Sequence, residues 1–261
     1  MAKTPEFMRD ILPSMSYSLI IIAIHIIYMY TQNAAICICA MLGYNLFTIP
    51  YFGFKDIQNP DKCNLSKESE RKFLKDDRFN IPLISFVCLE TLTWLWALVV
   101  CSDRVHINLP WFNPDISTTF RYVTFTFQWG FFTGVGAVCG HELIHKREPL
   151  NKAVGTWAFS KFFYTHFLDD HIAGHHKSIG TVDDVGTARR NETVYGFIIR
   201  AIYTAHKHTW EREVQRAKEQ YGKNVPICIM LFKNKMVWYM LFNAALIALI
   251  YLFLGWQSVK H

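Results

Sequence analysis

Charged residues are missing from long stretches of this chain. Four runs of at least 19 residues contain no Asp, Glu, Lys or Arg, and a fifth run contains only Glu90. Each run is close to the ~20 residues that a helix needs to cross a bilayer core. The pattern predicts an all-α, polytopic integral membrane helical bundle rather than a soluble domain with buried core helices. The five candidate spans are residues 11–30, 33–54, 79–102, 122–140 and 236–257.

Other features are absent as well. The first run has Tyr28 and Tyr30 where a signal peptide would carry small residues for cleavage, so we expect it to remain as a span. The seven cysteines lack the spacing of a zinc ribbon or a secreted disulfide scaffold, which indicates a reducing compartment. The net charge of +6 comes without a nucleic-acid-binding motif, so no nucleic-acid partner is expected.

Basic residues are concentrated in three places. Of the 27 lysines and arginines, 24 lie before the first span, between residues 55 and 78, or between residues 146 and 235. An even number of spans separates each place from the next, so the positive-inside rule puts all three on the cytoplasmic or equivalent face. We therefore expect one membrane domain over residues 1–261 whose polar head, residues 141–235, lies on that face. Within this head, the charged stretch over residues 191–221 is expected to be helical.

Two histidine clusters begin this head. The first reads His-Glu-Leu-Ile-His over residues 141–145, and the second reads Asp-His-Ile-Ala-Gly-His-His over residues 170–176. Histidines at positions i and i+4 share one face of a helix, where one metal ion can contact both. Imidazole is a common ligand of iron and zinc. The candidate metal ligands are His141, His145, His171, His175 and His176.

The first cluster also fits the His-Glu-x-x-His signature of zinc proteases, in which Glu142 would be the general base. A catalytic zinc ion keeps three protein ligands and one open position, whereas five histidines converge in this sequence. A two-metal, oxygen-activating centre fits five histidines better. Glu142 would then orient a ligand or bind iron itself. His166 is a candidate for an outer contact of the centre, while other histidines, including His206 and His208, are expected to pack without a ligand role.

The two clusters resemble motifs of the membrane-bound, non-haem di-iron alkane 1-monooxygenases, which are similar to fatty acid desaturases and hydroxylases. Residues 141–146 resemble the family's HELxHK motif. Residues 164–189, reading YTHFLDDHIAGHHKSIGTVDDVGTAR, are similar to its HF, EHNxGHH and T-x-x-DP-A-x-AR pattern. The chain departs from that pattern at Asp170, Ile172 and Val185.

The resemblance implies that the five candidate histidines bind two iron ions. It implies O2-dependent hydroxylation of the terminal methyl of an alkane or fatty alkyl chain that enters from the bilayer. It also implies an electron donor such as a rubredoxin or a ferredoxin. The resemblance covers the N-terminal two thirds of the family's pattern. Members of the family continue into a sixth span, an N-Y-x-x-H-Y-G motif and an R-H-x-x-H-H motif, so we expect activity to need a C-terminal segment or a partner chain that supplies further histidines.

Two other functions remain open at this point. The chain could be a non-catalytic membrane subunit of a larger complex that keeps a relic histidine site. It could also be an intramembrane zinc metalloprotease. The metal content distinguishes the three hypotheses, since they require two irons, one or no metal, and one zinc ion, respectively.

Overall fold

The structure is a computed structural model that describes residues 11, 15–33, 35–43, 46, 66–107, 109 and 115–260. Regular structure within these ranges is helical and includes no strand, which confirms the all-α prediction. Residues 35–43 are helical. The other α-helices of four or more residues, in chain order, are α1 (Ser16–Thr31), α2 (Lys67–Leu74), α3 (Asn80–Val100), α4 (Thr119–Ile144), α5 (Pro149–Ser160), α6 (Phe167–Asp170), α7 (Val194–Tyr221), α8 (Ile227–Lys233), α9 (Lys235–Leu254) and α10 (Trp256–Lys260).

The chain forms two compact units. The first unit contains residues 1–143 and 253–261, and the second unit contains residues 144–252. That residues 1–261 form one membrane domain remains a prediction.

Aromatic side chains fill the core of the first unit. The rings of Trp96 and Trp129 meet edge to face, with centroids 5.2 Å apart, and Tyr28 and Phe125 pack beside them. Such pairs stabilise a core by about 0.5–1.5 kcal/mol beyond the area that they bury. The apolar faces of α1, α3 and α4 are thus joined through large rings.

The single charged residue of the third predicted span lies inside the first unit. Glu90 on α3 is fully buried, and a Cβ atom added to Gly136 of α4 would lie 3.0 Å from its Oε2 atom. Ionisable residues in membrane helices face the protein interior because hydrocarbon solvates them poorly. Gly136 therefore gives the Glu90 side chain its space.

Two of the described helices are long and apolar enough to cross a membrane. One runs from Asp77 to Val100, and the other runs from Lys235 to Leu254. They match the third and fifth predicted spans. None of the most apolar window of α9 is buried, unlike a core helix of a soluble protein. The fourth run lies inside α4, and the first run contains the shorter apolar helix Ser18–Tyr28. The five-span topology and the side of the membrane stay predictions.

Several predicted features fall outside the described residues. They include most of the second run after residue 43, residues 55–65 of the basic connector, residues 110–114 of the loop before the fourth run, and residue 261.

The second unit carries most of the predicted head. Its helix α5 begins with Pro149, whose fixed backbone suits the first helical position. Its longest helix, α7, is capped by Thr193, whose Oγ1 atom accepts a hydrogen bond from the Gly196 N–H, and its last residue, Tyr221, is followed by Gly222. The charged helix expected within residues 191–221 is therefore present, and its Arg212 and His206 contact Asp170 and His166, respectively, which precede His171 of the second histidine cluster.

Candidate metal centre

The first histidine cluster lies at the end of α4. His141 is in the last turn of this helix, and His145 directly follows its final residue, Ile144. The Nδ1 atom of His141 lies 3.3 Å from Oε1 of the neighbouring Glu142, whose side chain is exposed. This contact suits a carboxylate that orients an imidazole. The ligand role of His141 and the catalytic role of Glu142 stay predictions.

Three histidines of the second unit point their Nε2 atoms at one another. The Nε2 atom of His171 lies 3.1 Å from that of His145 and 2.9 Å from that of His176. Two nitrogens that each lie ~2.0–2.1 Å from one ion, at right or tetrahedral angles, are separated by about 2.9–3.4 Å. Both observed separations lie in that range, so the donor set fits a metal ion.

The second cluster adopts a π-helix, and this changes which histidines face each other. Residues His171–His175 form the π segment, in which the His176 N–H donates to the His171 carbonyl oxygen. A π-helix brings positions i and i+5 together, whereas an α-helix aligns i and i+4. The α-helical spacing predicted that His171 and His175 form the pair, but the structure pairs His171 with His176. Such π segments occur frequently at functional sites.

His175 is held instead by a carboxylate. Its Nδ1 atom lies 2.8 Å from Oδ1 of Asp184, whose side chain is fully buried. A carboxylate that accepts the Nδ1 hydrogen fixes the tautomer and leaves Nε2 available for a metal ion. A Cβ atom on Gly186 would lie 2.7 Å from His175 Nδ1, so the glycine lets the loop approach the ring.

Asp184 remains ionised in this setting. Burial raises the pKa of its carboxyl group, but hydrogen bonds from Thr187, from His175 and from the Gly186 N–H outweigh that effect. Together, these hydrogen bonds lower the pKa of Asp184 to about 2. The carboxylate can therefore accept the imidazole hydrogen throughout the physiological pH range.

A charged network fastens the loop that carries Asp184. Arg200 of α7 donates to both carboxylate oxygens of Glu192, at 2.6 and 2.8 Å, and to the Thr187 carbonyl oxygen at 3.0 Å. These hydrogen bonds lower the pKa of Glu192 to about 2. The Thr187 hydroxyl in turn donates to Asp184 at 2.5 Å. The loop is thus tied to α7 at one end and to His175 at the other.

Two further ion pairs anchor the π segment. Asp170 is buried and accepts from Arg212 of α7 at 3.1 Å. The neighbouring Asp169 accepts from the Lys235 ammonium group at 2.7 Å and from the Tyr239 hydroxyl at 2.6 Å. The backbone that precedes His171 is therefore attached to both α7 and α9 of the second unit.

His166 occupies a different place from the facing histidines. It is buried against His206 of α7, with ring centroids 4.0 Å apart, and against Tyr164 at 4.4 Å. Burial and the nearby His206 lower the pKa of His166 to about 3, which keeps the ring neutral. The sequence did not predict that His206 has these neighbours.

The site contains residues that the histidine pattern did not identify. Asp169, Asp184, Arg200 and Arg212 hold the histidine-bearing segments through contacts that join residues 8 to 66 positions apart. Asp170 and Asp184 lie within residues 164–189, which resemble a motif of the alkane monooxygenases. This resemblance was the one signal in the sequence that pointed to these two residues. Their partners were set by the fold.

These observations define a helical protein with membrane-capable helices and a histidine centre suited to a metal ion. A family model, the fatty acid desaturase family, matches residues 118–261, which is more than half of the chain. The chain belongs to the fatty acid desaturase family.

Curated relatives are also found, and they confirm the resemblance stated above. The chain is 26% identical over 193 residues to alkane 1-monooxygenase 1 of Alcanivorax borkumensis, which covers 70% of this chain and 44% of that protein. It is 31% identical over 125 residues to alkane 1-monooxygenase 1 of Pseudomonas aeruginosa, covering 48% and 31%. It is 34% identical over 96 residues to alkane 1-monooxygenase of Ectopseudomonas oleovorans, covering 37% and 24%. The chain spans less than half the length of these relatives.

Proposed function

We propose that this chain carries part of the metal centre of a membrane oxidoreductase that hydroxylates the terminal methyl of an alkane or a fatty alkyl chain. The observation that carries the proposal is the convergence of the Nε2 atoms of His145, His171 and His176. The similarity to proteins named alkane 1-monooxygenases supports the reaction class.

The metal is iron in this proposal, and two ions are held. His145, His171 and His176 contribute Nε2 atoms, and His175 contributes the Nε2 atom that its bond to Asp184 leaves available. His141 completes the set of five ligands that the resemblance implies. When bound, iron would supply the O2 reduction and the C–H oxidation.

The residues around the ligands keep the imidazoles ready to bind. Asp184 holds the hydrogen of His175 on Nδ1, so that the opposite nitrogen keeps its lone pair. Arg212 neutralises the buried charge of Asp170, and Lys235 neutralises Asp169, so these carboxylates hold the backbone rather than compete for the metal. The protein thereby orients its ligands before a metal ion arrives.

The substrate and the electron donor follow from the same proposal. An alkyl chain would reach the centre from the bilayer, along the spans that the sequence predicts. Electrons would come from a rubredoxin or ferredoxin-like carrier, and basic residues of the head would attract an acidic carrier. Five imidazoles shared by two ions leave each ion two or three protein ligands, so we expect that activity also requires histidines from a further segment or a partner chain.

Metal analysis of the purified full chain tests the proposal. We expect iron rather than zinc, and we expect octane hydroxylation when an electron donor and a polypeptide carrying the further histidine motifs are added. A stoichiometric zinc ion with peptidase activity would support the protease alternative. A protein that binds no metal under any condition would support the non-catalytic subunit.

A further inference from the structure

The first ten residues of α7 expose an apolar surface. Residues 194–203 read VYGFIIRAIY, and six of them are between 46% and 78% exposed. We call these six residues the apolar stripe: Val194, Tyr195, Ile198, Ile199, Ile202 and Tyr203. Their spacing of one, three and four positions places them along one side of the helix.

The opposite side of the same helix faces the protein. Phe197, Arg200 and Thr204 are half-buried, and the Arg200 guanidinium lies over the Phe197 ring, 5.5 Å from its centroid. Arg200 also binds Glu192 and the Thr187 carbonyl oxygen, as described above. The helix therefore has a fixed orientation, and the stripe is the side that the described part of the chain leaves exposed.

A basic pocket is lined by residues that precede α7 in the sequence. It has a volume of about 460 Å³, and Thr181, Thr187, Arg189 and Arg190 are among its lining residues. Its seven lining residues include no carboxylate. One of the seven is Val182, an apolar residue that is almost fully exposed. Arg190 precedes the first residue of the stripe by four positions.

The other half of α7 is attached to the start of the apolar helix α9. The Glu213 carboxylate accepts the Lys235 N–H at 3.0 Å, and Arg216 donates to the Lys233 carbonyl oxygen at 3.1 Å. Lys235 is the first residue of α9, which is long and apolar enough to cross a membrane. The end of such a helix lies at the membrane surface, so α7 is anchored at that level.

We propose that the apolar stripe and the basic pocket together bind the surface of an anionic lipid bilayer. The stripe lies at the boundary of headgroups and acyl chains, with Tyr195 and Tyr203 in the headgroup region that tyrosine favours. Arg189 and Arg190 bind lipid phosphate groups in the pocket, since basic residues beside an interfacial helix are attracted to anionic lipids. This assignment is independent of the metal and of the reaction.

Photocrosslinking of the full chain in lipid nanodiscs tests the position of the stripe. A benzoylphenylalanine residue is placed at position 199, and a control probe is placed at Lys218, an exposed position in the charged half of the same helix. We expect several-fold more phospholipid adducts at position 199 than at position 218, measured by mass spectrometry. Equal lipid adducts at both positions, adducts to a second copy of the chain, or no lipid adduct at position 199 would each overturn the proposal.

The role of the pocket is tested with the same probe at position 199. Phosphatidylglycerol added to phosphatidylcholine nanodiscs should raise the lipid adducts several-fold, and the double variant Arg189→Gln, Arg190→Gln should lose this increase. The variant Arg189→Lys, Arg190→Lys keeps the charge and should keep the increase. Lys207→Gln, which removes an exposed charge farther along α7, should have no effect. An increase that persists in the glutamine variant would contradict the phosphate-binding role.

Discussion

His25 in the first unit and His171 in the second unit are imidazoles in opposite surroundings. The ring of His25 lies 4.1 Å from that of Trp129 and 5.2 Å from that of Trp96, and its Nδ1 atom lies 3.0 Å from the Ile21 carbonyl oxygen. His171 lies against the Nε2 atoms of two other histidines, on a backbone segment that acidic residues anchor. The same side chain therefore serves packing in one region and is available for a metal in the other. The difference comes from the neighbouring residues.

Removal of His171 should have the largest effect on metal binding. His171→Ala deletes the nitrogen that lies near both His145 and His176, so the loss of iron affinity should exceed the ~10–100-fold typical of residues that only orient a ligand. The matched control, His25→Ala, should leave the iron content unchanged. Iron measured by mass spectrometry at the wild-type level in purified His171→Ala would contradict the assigned site.

Removal of the Asp184 charge should have the next largest effect. Asp184→Asn no longer holds the His175 hydrogen on Nδ1, so iron affinity should fall by about 10–100-fold. Asp183→Asn, which changes an exposed neighbour, is the control and should retain full affinity.

The pH dependence of Asp184 has a defined sign. Because its pKa in the folded protein is lowered to about 2, its stabilising contribution is present above the ordinary pKa of ~3.9 and is lost only as the pH falls towards 2. Iron binding in a titration between pH 7 and pH 5 should therefore be unaffected by the protonation of Asp184.

A methyl group at Gly174 should disturb the π segment. The Cβ atom of Gly174→Ala would lie 2.8 Å from Arg212 Nη1 and 3.2 Å from Asp170 Oδ1, so the ion pair must move. We expect a loss of about 1–3 kcal/mol in the free energy of unfolding. Gly134→Ala, where the added Cβ atom meets no neighbour within 4 Å in a helix, should stabilise by about 0.5–1 kcal/mol. Thermal unfolding of both variants in detergent measures the contrast, and equal shifts in both would contradict it.

The ion pair between Lys235 and Asp169 should contribute less than the residues above. Asp169 keeps the hydrogen bond from Tyr239 when Lys235→Gln removes the charge, and the lysine is partly exposed. The free energy of unfolding should therefore fall by about 1 kcal/mol or less. Lys207→Gln removes an exposed pair with Glu211, whose charged atoms are 3.9 Å apart, and should have almost no effect. A larger loss in the Lys207 variant than in the Lys235 variant would reverse this order.

Much of the fold followed from the sequence. The uncharged runs at residues 79–102 and 236–257 correspond to α3 and α9, and the mixed-charge segment within residues 191–221 corresponds to α7. These predictions succeeded because long apolar or charged periodic segments form helices whatever they pack against. The family was also predictable, since its motifs are local and lie within residues 141–189.

The pairing inside the second cluster was not predictable by spacing. The sequence offers His171 with either His175 or His176, and the α-helical period favoured the first pair. The structure adopts the π-helical period, and the buried Asp170, held by Arg212 from 42 positions away, borders this segment. The partner of His175 is likewise Asp184, in a loop that Arg200 fastens.

The sequence by itself determined the residue types of the centre, the helical class and the family, because these depend on composition and on short motifs. Tertiary structure alone decided which imidazoles face one another, which carboxylates orient them and which side of α7 is exposed among the described residues. The physical reason is that ion pairs and hydrogen bonds between distant residues fix the rotation of each segment. A change from α-helical (i, i+4) to π-helical (i, i+5) hydrogen bonding is then enough to exchange His175 for His176 as the neighbour of His171.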